Sequence, residues 1–95
     1  MLIQVTQEDI NEADETLNLV GGISYQRHCP VAQAIYRQHQ KSKGRRPRVD
    51  PIMIEINDGY YFIGEFFYTP DNVKEFITRY DHKLPVVPFE FELKE

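Results

Sequence analysis

Residues 52–68 read Ile-Met-Ile-Glu-Ile-Asn-Asp-Gly-Tyr-Tyr-Phe-Ile-Gly-Glu-Phe-Phe-Tyr, and they decide the fold class. Ile52, Ile54 and Ile56 alternate with Met53, Glu55 and Asn57, the period of two that a strand with one apolar face requires. Asn57-Asp58-Gly59 is turn chemistry, because short polar side chains and a glycine accept the positive φ of a tight reversal. The returning strand is expected over Tyr60–Tyr68. Two registers are open. A two-residue loop sets the isoleucines beside Tyr61, Ile63 and Phe67, and a three-residue loop sets them beside Tyr60, Phe62 and Phe66. A slip of one residue exchanges the two faces. Gly64 marks a candidate bulge.

Toward the C-terminus, Thr69-Pro70 predicts a helix start, with threonine as cap and proline at the first helical position. Val73, Phe76, Ile77 and Tyr80 keep i, i+3, i+4, i+7 spacing, and the helix should end near Asp81 to Lys83. Phe89, Phe91 and Leu93 alternate with Glu90 and Glu92 as a last strand, and Pro88 before it predicts an edge position. Toward the N-terminus, Cys29-Pro30 opens another helix, with Val31, Ala34, Ile35 and Gln38 on one side, running to about Lys41. Arg37 and Lys41 should face outward. Gly44 and Pro47 end that segment. Residues 12–28 show little pattern and read as a long loop around Gly21-Gly22. Leu2–Val5 is a short first strand, and Thr6 caps a short helical turn over Gln7–Asn11.

The order strand, helix, strand, strand, helix, strand is ferredoxin-like. The expected class is therefore α+β, with two helices on one face of a mainly antiparallel sheet of about four strands. Ninety-five residues make one domain, 1–95. At 41% hydrophobic residues the chain can build a core, but so small a domain favours a surface cleft over a deep active site. Cys29 is the only cysteine, so no internal disulfide forms and a reducing interior such as cytoplasm is the simpler setting. The first residues lack the basic and apolar regions of a signal peptide, and no apolar run is long enough for a membrane span.

Charge is strongly polarised. Residues 16–49 carry seven bases (Arg27, Arg37, Lys41, Lys43, Arg45, Arg46, Arg48) and no acid, whereas all 15 acids lie elsewhere beside four bases. The net charge of −4 conceals this. Local potential, not the total, draws a ligand to a surface. Arg27, His28, Lys41, Lys43, Arg45, Arg46 and Arg48 are the candidate ligand-binding residues. Arginine's planar fork suits phosphate and carboxylate, and Arg27-His28 stand at a helix start, where free amides favour anions. That same field would lower the Cys29 thiol pKa. No catalytic constellation, metal-ligand spacing or cofactor motif is present in the sequence. The aromatic strand 60–68 lacks the signature of RNA-recognition modules and reads as core plus dimer interface.

Two stretches resemble a known family. Val5-Thr6-Gln7-Glu8-Asp9-Ile10 with Cys29-Pro30-Val31-Ala32-Gln33-Ala34-Ile35 resembles the N-terminal half of a family of small bacteriophage proteins. Phe76-Ile77-Thr78-Arg79-Tyr80-Asp81 with Pro85-Val86-Val87-Pro88-Phe89-Glu90-Phe91-Glu92-Leu93 resembles its C-terminal end. The likeness covers about a third of the chain, and residues 21–26 and 41–48 depart from the family pattern. It carries no catalytic residues. It implies a phage accessory protein in the host bacterial cytoplasm that antagonises a host defence function. Such a protein would bind a nucleotide-type anionic ligand or a host protein, most simply as a homo-oligomer. The alternative expectation is a nucleic-acid-binding accessory protein.

Overall fold

The computed structural model describes residues 1–19, 25–39, 46–57 and 64–94. Its elements are β1 (Leu2–Val5), α1 (Gln7–Leu19), α2 (Tyr25–His28), α3 (Pro30–Gln38), β2 (Arg48–Val49), β3 (Met53–Asn57), β4 (Gly64–Tyr68), α4 (Asp71–Asp81) and β5 (Phe89–Glu92). The α+β class is as expected. The single four-stranded sheet is not: β1 pairs with β5, and β2, β3 and β4 form a separate sheet, all antiparallel.

The reason for the split lies at Gln4. One edge of β1 is taken by β5. On the other, the Gln38 side-chain amide stands in for a strand: the Gln4 N–H donates to Gln38 Oε1 at 3.0 Å, and Gln38 Nε2 donates to the Gln4 carbonyl at 2.6 Å. Arg37 Nη2 adds a third bond to that carbonyl at 3.1 Å. The last turn of α3 thus satisfies backbone groups of β1 that a ferredoxin-like sheet would pair with the returning hairpin strand, here β4.

The two sheets nevertheless share one core. Ile3 and Val5, Ile10, Val31, Ala34 and Ile35, Ile54, Ile56 and Phe67, Val73, Phe76 and Ile77, and Phe91 and Leu93 form a single buried cluster. Phe76 stacks on Phe89 with centroids 4.7 Å apart, which ties α4 to β5. Among the described residues, no helix is long and apolar enough to cross a membrane.

Several local expectations are corrected. The stretch read as a short turn and long loop holds α1, thirteen residues, and the single turn α2. Ile10 and Ala13 are buried in α1. Helix α3 ends at Gln38, before Lys41, with His39 leaving helical geometry at φ −113° and ψ 95°. In the hairpin, Ile54 pairs with Phe67, Ile56 with Glu65 and Asn57 with Gly64, which rules out both tight registers. The buried face is the one carrying Phe67, while Phe66 is 60% and Tyr68 86% exposed. Residues 58–63, including the predicted turn and the start of the returning strand, lie outside the described residues. Ile52 is not a core residue, being 71% exposed at the tip of the β2–β3 turn. There Asp50 Oδ1 accepts from the Ile52 and Met53 amides at 2.9 and 2.8 Å. Thr69 does not cap α4; its hydroxyl donates to the Asp50 carbonyl at 2.7 Å, and Pro70 is the cap residue.

Candidate functional site

Four of the seven predicted ligand-binding residues gather where α2 meets the chain entering β2. Arg27 Nη1 donates to the Arg46 carbonyl and Arg46 Nε donates to the Arg27 carbonyl, each at 2.8 Å, a reciprocal tie across nineteen residues. Arg46 Nη2 also donates to Gln33 Oε1 at 2.6 Å, and its guanidinium lies 4.7 Å from the Tyr36 ring centroid. Arg48 Nε donates to Gln26 Oε1 at 3.1 Å and stands 3.9 Å from Asp50 Oδ2. His28 is half-buried beside them and is itself engaged in a contact. Lys41, Lys43 and Arg45 lie outside the described residues.

The nature of the partners matters. Arg27 and Arg46 are positioned by backbone carbonyls and an amide, which do not cancel their charge. Arg46 is half-buried, and this burial lowers its pKa, partly offset by Tyr36 and Glu12. Arg37 is different and does not face outward freely. Its Nε and Nη2 both reach the buried carboxylate of Asp9, each at 2.9 Å. Asp9 also accepts from the Thr6 amide and hydroxyl at 2.9 and 3.0 Å, while Thr6 Oγ1 accepts from the Asp9 amide at 3.2 Å. Burial pushes the Asp9 pKa up, but Arg37 and Thr6 overcome it, and the carboxyl ends below its ordinary value. Arg37 is therefore neutralised and leaves the basic surface.

Cys29 caps α3, its Sγ accepting from the Ala32 amide at 3.5 Å. The expected drop in its pKa does not occur. Complete burial of the thiol outweighs the helix amides and pushes the pKa up to about 11. A nucleophilic Cys29 has no support in this setting.

A second feature was invisible in the sequence. Between α1, α2 and the end of α4 lies an open crevice of about 400 Å³. Tyr25 and Tyr80 line it, and Tyr80 OH donates to Asp14 Oδ1 at 2.7 Å. Lys83 stands on its wall with a left-handed φ of 58°. Nothing in the spacing of 14, 25, 80 and 83 signals this convergence, because it depends on how α1 and α4 pack.

Comparison with protein-family models, with curated proteins and with solved structures found no match for this chain.

Proposed function

We propose that this is a small, non-enzymatic binding protein whose basic surface, from Arg27 and His28 through the 41–48 run, holds an anionic ligand or the acidic face of a partner. One observation carries the reading. Arg27 and Arg46 are held in place by neutral acceptors, so the surface keeps its positive charge while losing conformational freedom. A pre-ordered guanidinium is the group best suited to carboxylate or phosphate. The resemblance to small bacteriophage proteins supports placing it in the host bacterial cytoplasm, as an antagonist of a host defence function that needs no cofactor.

The test is native mass spectrometry of the protein purified from a bacterial cytoplasm, alongside a Lys41→Glu/Lys43→Glu/Arg48→Glu variant that spares the Arg27–Arg46 tie. The expected result is a bound anion or acidic protein on the wild type, lost in a variant with the same melting temperature. A variant that keeps its partner overturns the assignment. The same spectrum reads the oligomeric state, for which we propose a homo-oligomer.

A second reading, nucleic-acid binding, is favoured by one feature. Phe66 lies in the cross-strand row Arg48–Glu55–Phe66, and Tyr68 shares its face, so exposed aromatic rings and an arginine lie on one sheet face, two strands apart with Glu55 between them. Stacking on aromatics beside cations is how single strands are held. Affinity for a single-stranded oligonucleotide should then fall steeply with salt, and salt-independent binding excludes it.

A further inference from the structure

The basic surface leaves the crevice between α1, α2 and α4 unused, yet this is where aromatic, polar and cationic groups meet. We propose that this crevice binds a nucleobase bearing an exocyclic amino group, with an attached phosphate at Lys83. Its volume of about 400 Å³ lies in the range of small-molecule sites. Two tyrosines line it, Tyr25 and Tyr80, with Ile10 and Leu17 among the apolar positions. Tyr25 is 52% exposed, which leaves its ring available for stacking, a contact worth about 1–3 kcal/mol per base.

The polar groups set the chemistry of the ring. Asp14 Oδ1 is engaged by Tyr80 OH at 2.7 Å. A carboxylate has two oxygens and accepts only, so the remaining acceptor capacity selects a ligand edge that donates N–H. Burial, followed by Asp14, pushes the Tyr80 pKa up, so the phenol remains a neutral donor and fixes the carboxylate's orientation. Adenine, cytosine and guanine present an amino group to such an acceptor. Uracil presents a single ring N–H between two carbonyl oxygens that would face the carboxylate unfavourably.

Lys83 gives the site its polarity. Lys83 directly follows the C-cap His82 of α4, and its left-handed φ of 58° turns the chain there along the crevice. Its backbone is held by the Lys83 N–H to the Tyr80 carbonyl at 3.0 Å and by the Leu84 N–H to the Arg79 carbonyl at 2.9 Å. These bonds fix the Lys83 backbone at the crevice wall, within a side chain's reach of an anionic tail on the ligand.

This site shares no residue with the basic surface, so its test is separate. The full-length protein would be titrated by NMR with AMP, CMP, GMP and UMP, with the matching nucleosides, and with a short single-stranded oligonucleotide of the preferred base. The expected result is saturable shifts around Asp14, Tyr25 and Tyr80 with at least one amino-bearing nucleotide, about tenfold tighter than with UMP. Asp14→Asn should erase that preference and Tyr25→Ala should weaken all binding. Lys83→Gly should remove the advantage of nucleotide over nucleoside. Tighter crevice shifts with the oligonucleotide identify a base within a strand as the ligand source, and tighter shifts with the mononucleotide identify the free compound. Equal binding of UMP, shifts confined to residues 27–48, or no saturable shift with any of these probes overturns the proposal.

Discussion

Asp9 shows how one side chain can serve two partner residues. It closes a reciprocal cap with Thr6, and it holds Arg37 through two bonds from a fully buried position. Asp9→Asn should lose about 2 kcal/mol, since a cap and a charge-assisted pair are both weakened while the half-exposed Arg37 finds water. The pH dependence has a definite sign. The folded pKa lies below the unfolded value of 3.8, so the contribution is present above about pH 4 and is lost as pH falls through the folded value. Urea midpoints should drop in acid for the wild type and drop less for the variant. Cys29 behaves oppositely. Burial raises its pKa from 9.0 to about 11, so this contribution is complete below about pH 9 and is lost as pH rises toward 11. At neutral pH the native thiol should react with iodoacetamide only through opening of the fold, with a rate that rises with urea. Fast labelling at zero urea would contradict the buried placement. Lys83 is strained by its positive φ, so Lys83→Gly should raise the unfolding free energy by about 0.5–1 kcal/mol in the same urea experiment.

The elements show where local patterns sufficed and where they did not. Helices α3 and α4 were legible because apolar residues recur at helical spacing behind a proline start. Helix α1 was missed beyond its first turn. Its buried positions are few, and acids, asparagines and a threonine dilute the pattern. Its stability comes from packing on α3 and from tertiary bonds such as Gln33 Nε2 to Glu12 Oε2 at 3.1 Å. The β2–β3 turn has a local signal of its own: Asp50-Pro51 places an accepting carboxylate before a residue preset for the turn. Asp50→Ala should cost about 1–2 kcal/mol through the Ile52 and Met53 amides, read as a lower melting temperature with an unchanged helical circular-dichroism signal. An unchanged melting temperature would contradict this role of the Asp50 carboxylate.

Across the whole molecule, the polarised charge resolves into different tasks. Arg37 is tied to a carboxylate, Arg46 to carbonyl, amide and ring, and Arg48 stands more exposed at the sheet. Arg46→Gln should therefore destabilise the fold by about 1–2 kcal/mol, because the Arg27 carbonyl and Gln33 each lose a donor. Arg48→Glu should leave the melting temperature within a degree or two while reducing binding of an anionic probe and its salt dependence. The reverse pattern would move the binding role onto Arg46.

Alternation and helical spacing were enough to establish the α+β class, the two strongest helices and the first and last strands, because each is a pattern within one segment. The concentration of cations was equally plain in the composition. Which cations remain charged and free, which edge of β1 is closed, which hairpin register holds and where a crevice opens are decided by partners distant in sequence. Gln4 meets Gln38, Asp9 meets Arg37, Arg27 meets Arg46 and Asp14 meets Tyr80 only once the helices have packed. Hydrogen bonding and desolvation act on atoms within a few ångströms, and such distances between remote residues exist only in the folded chain.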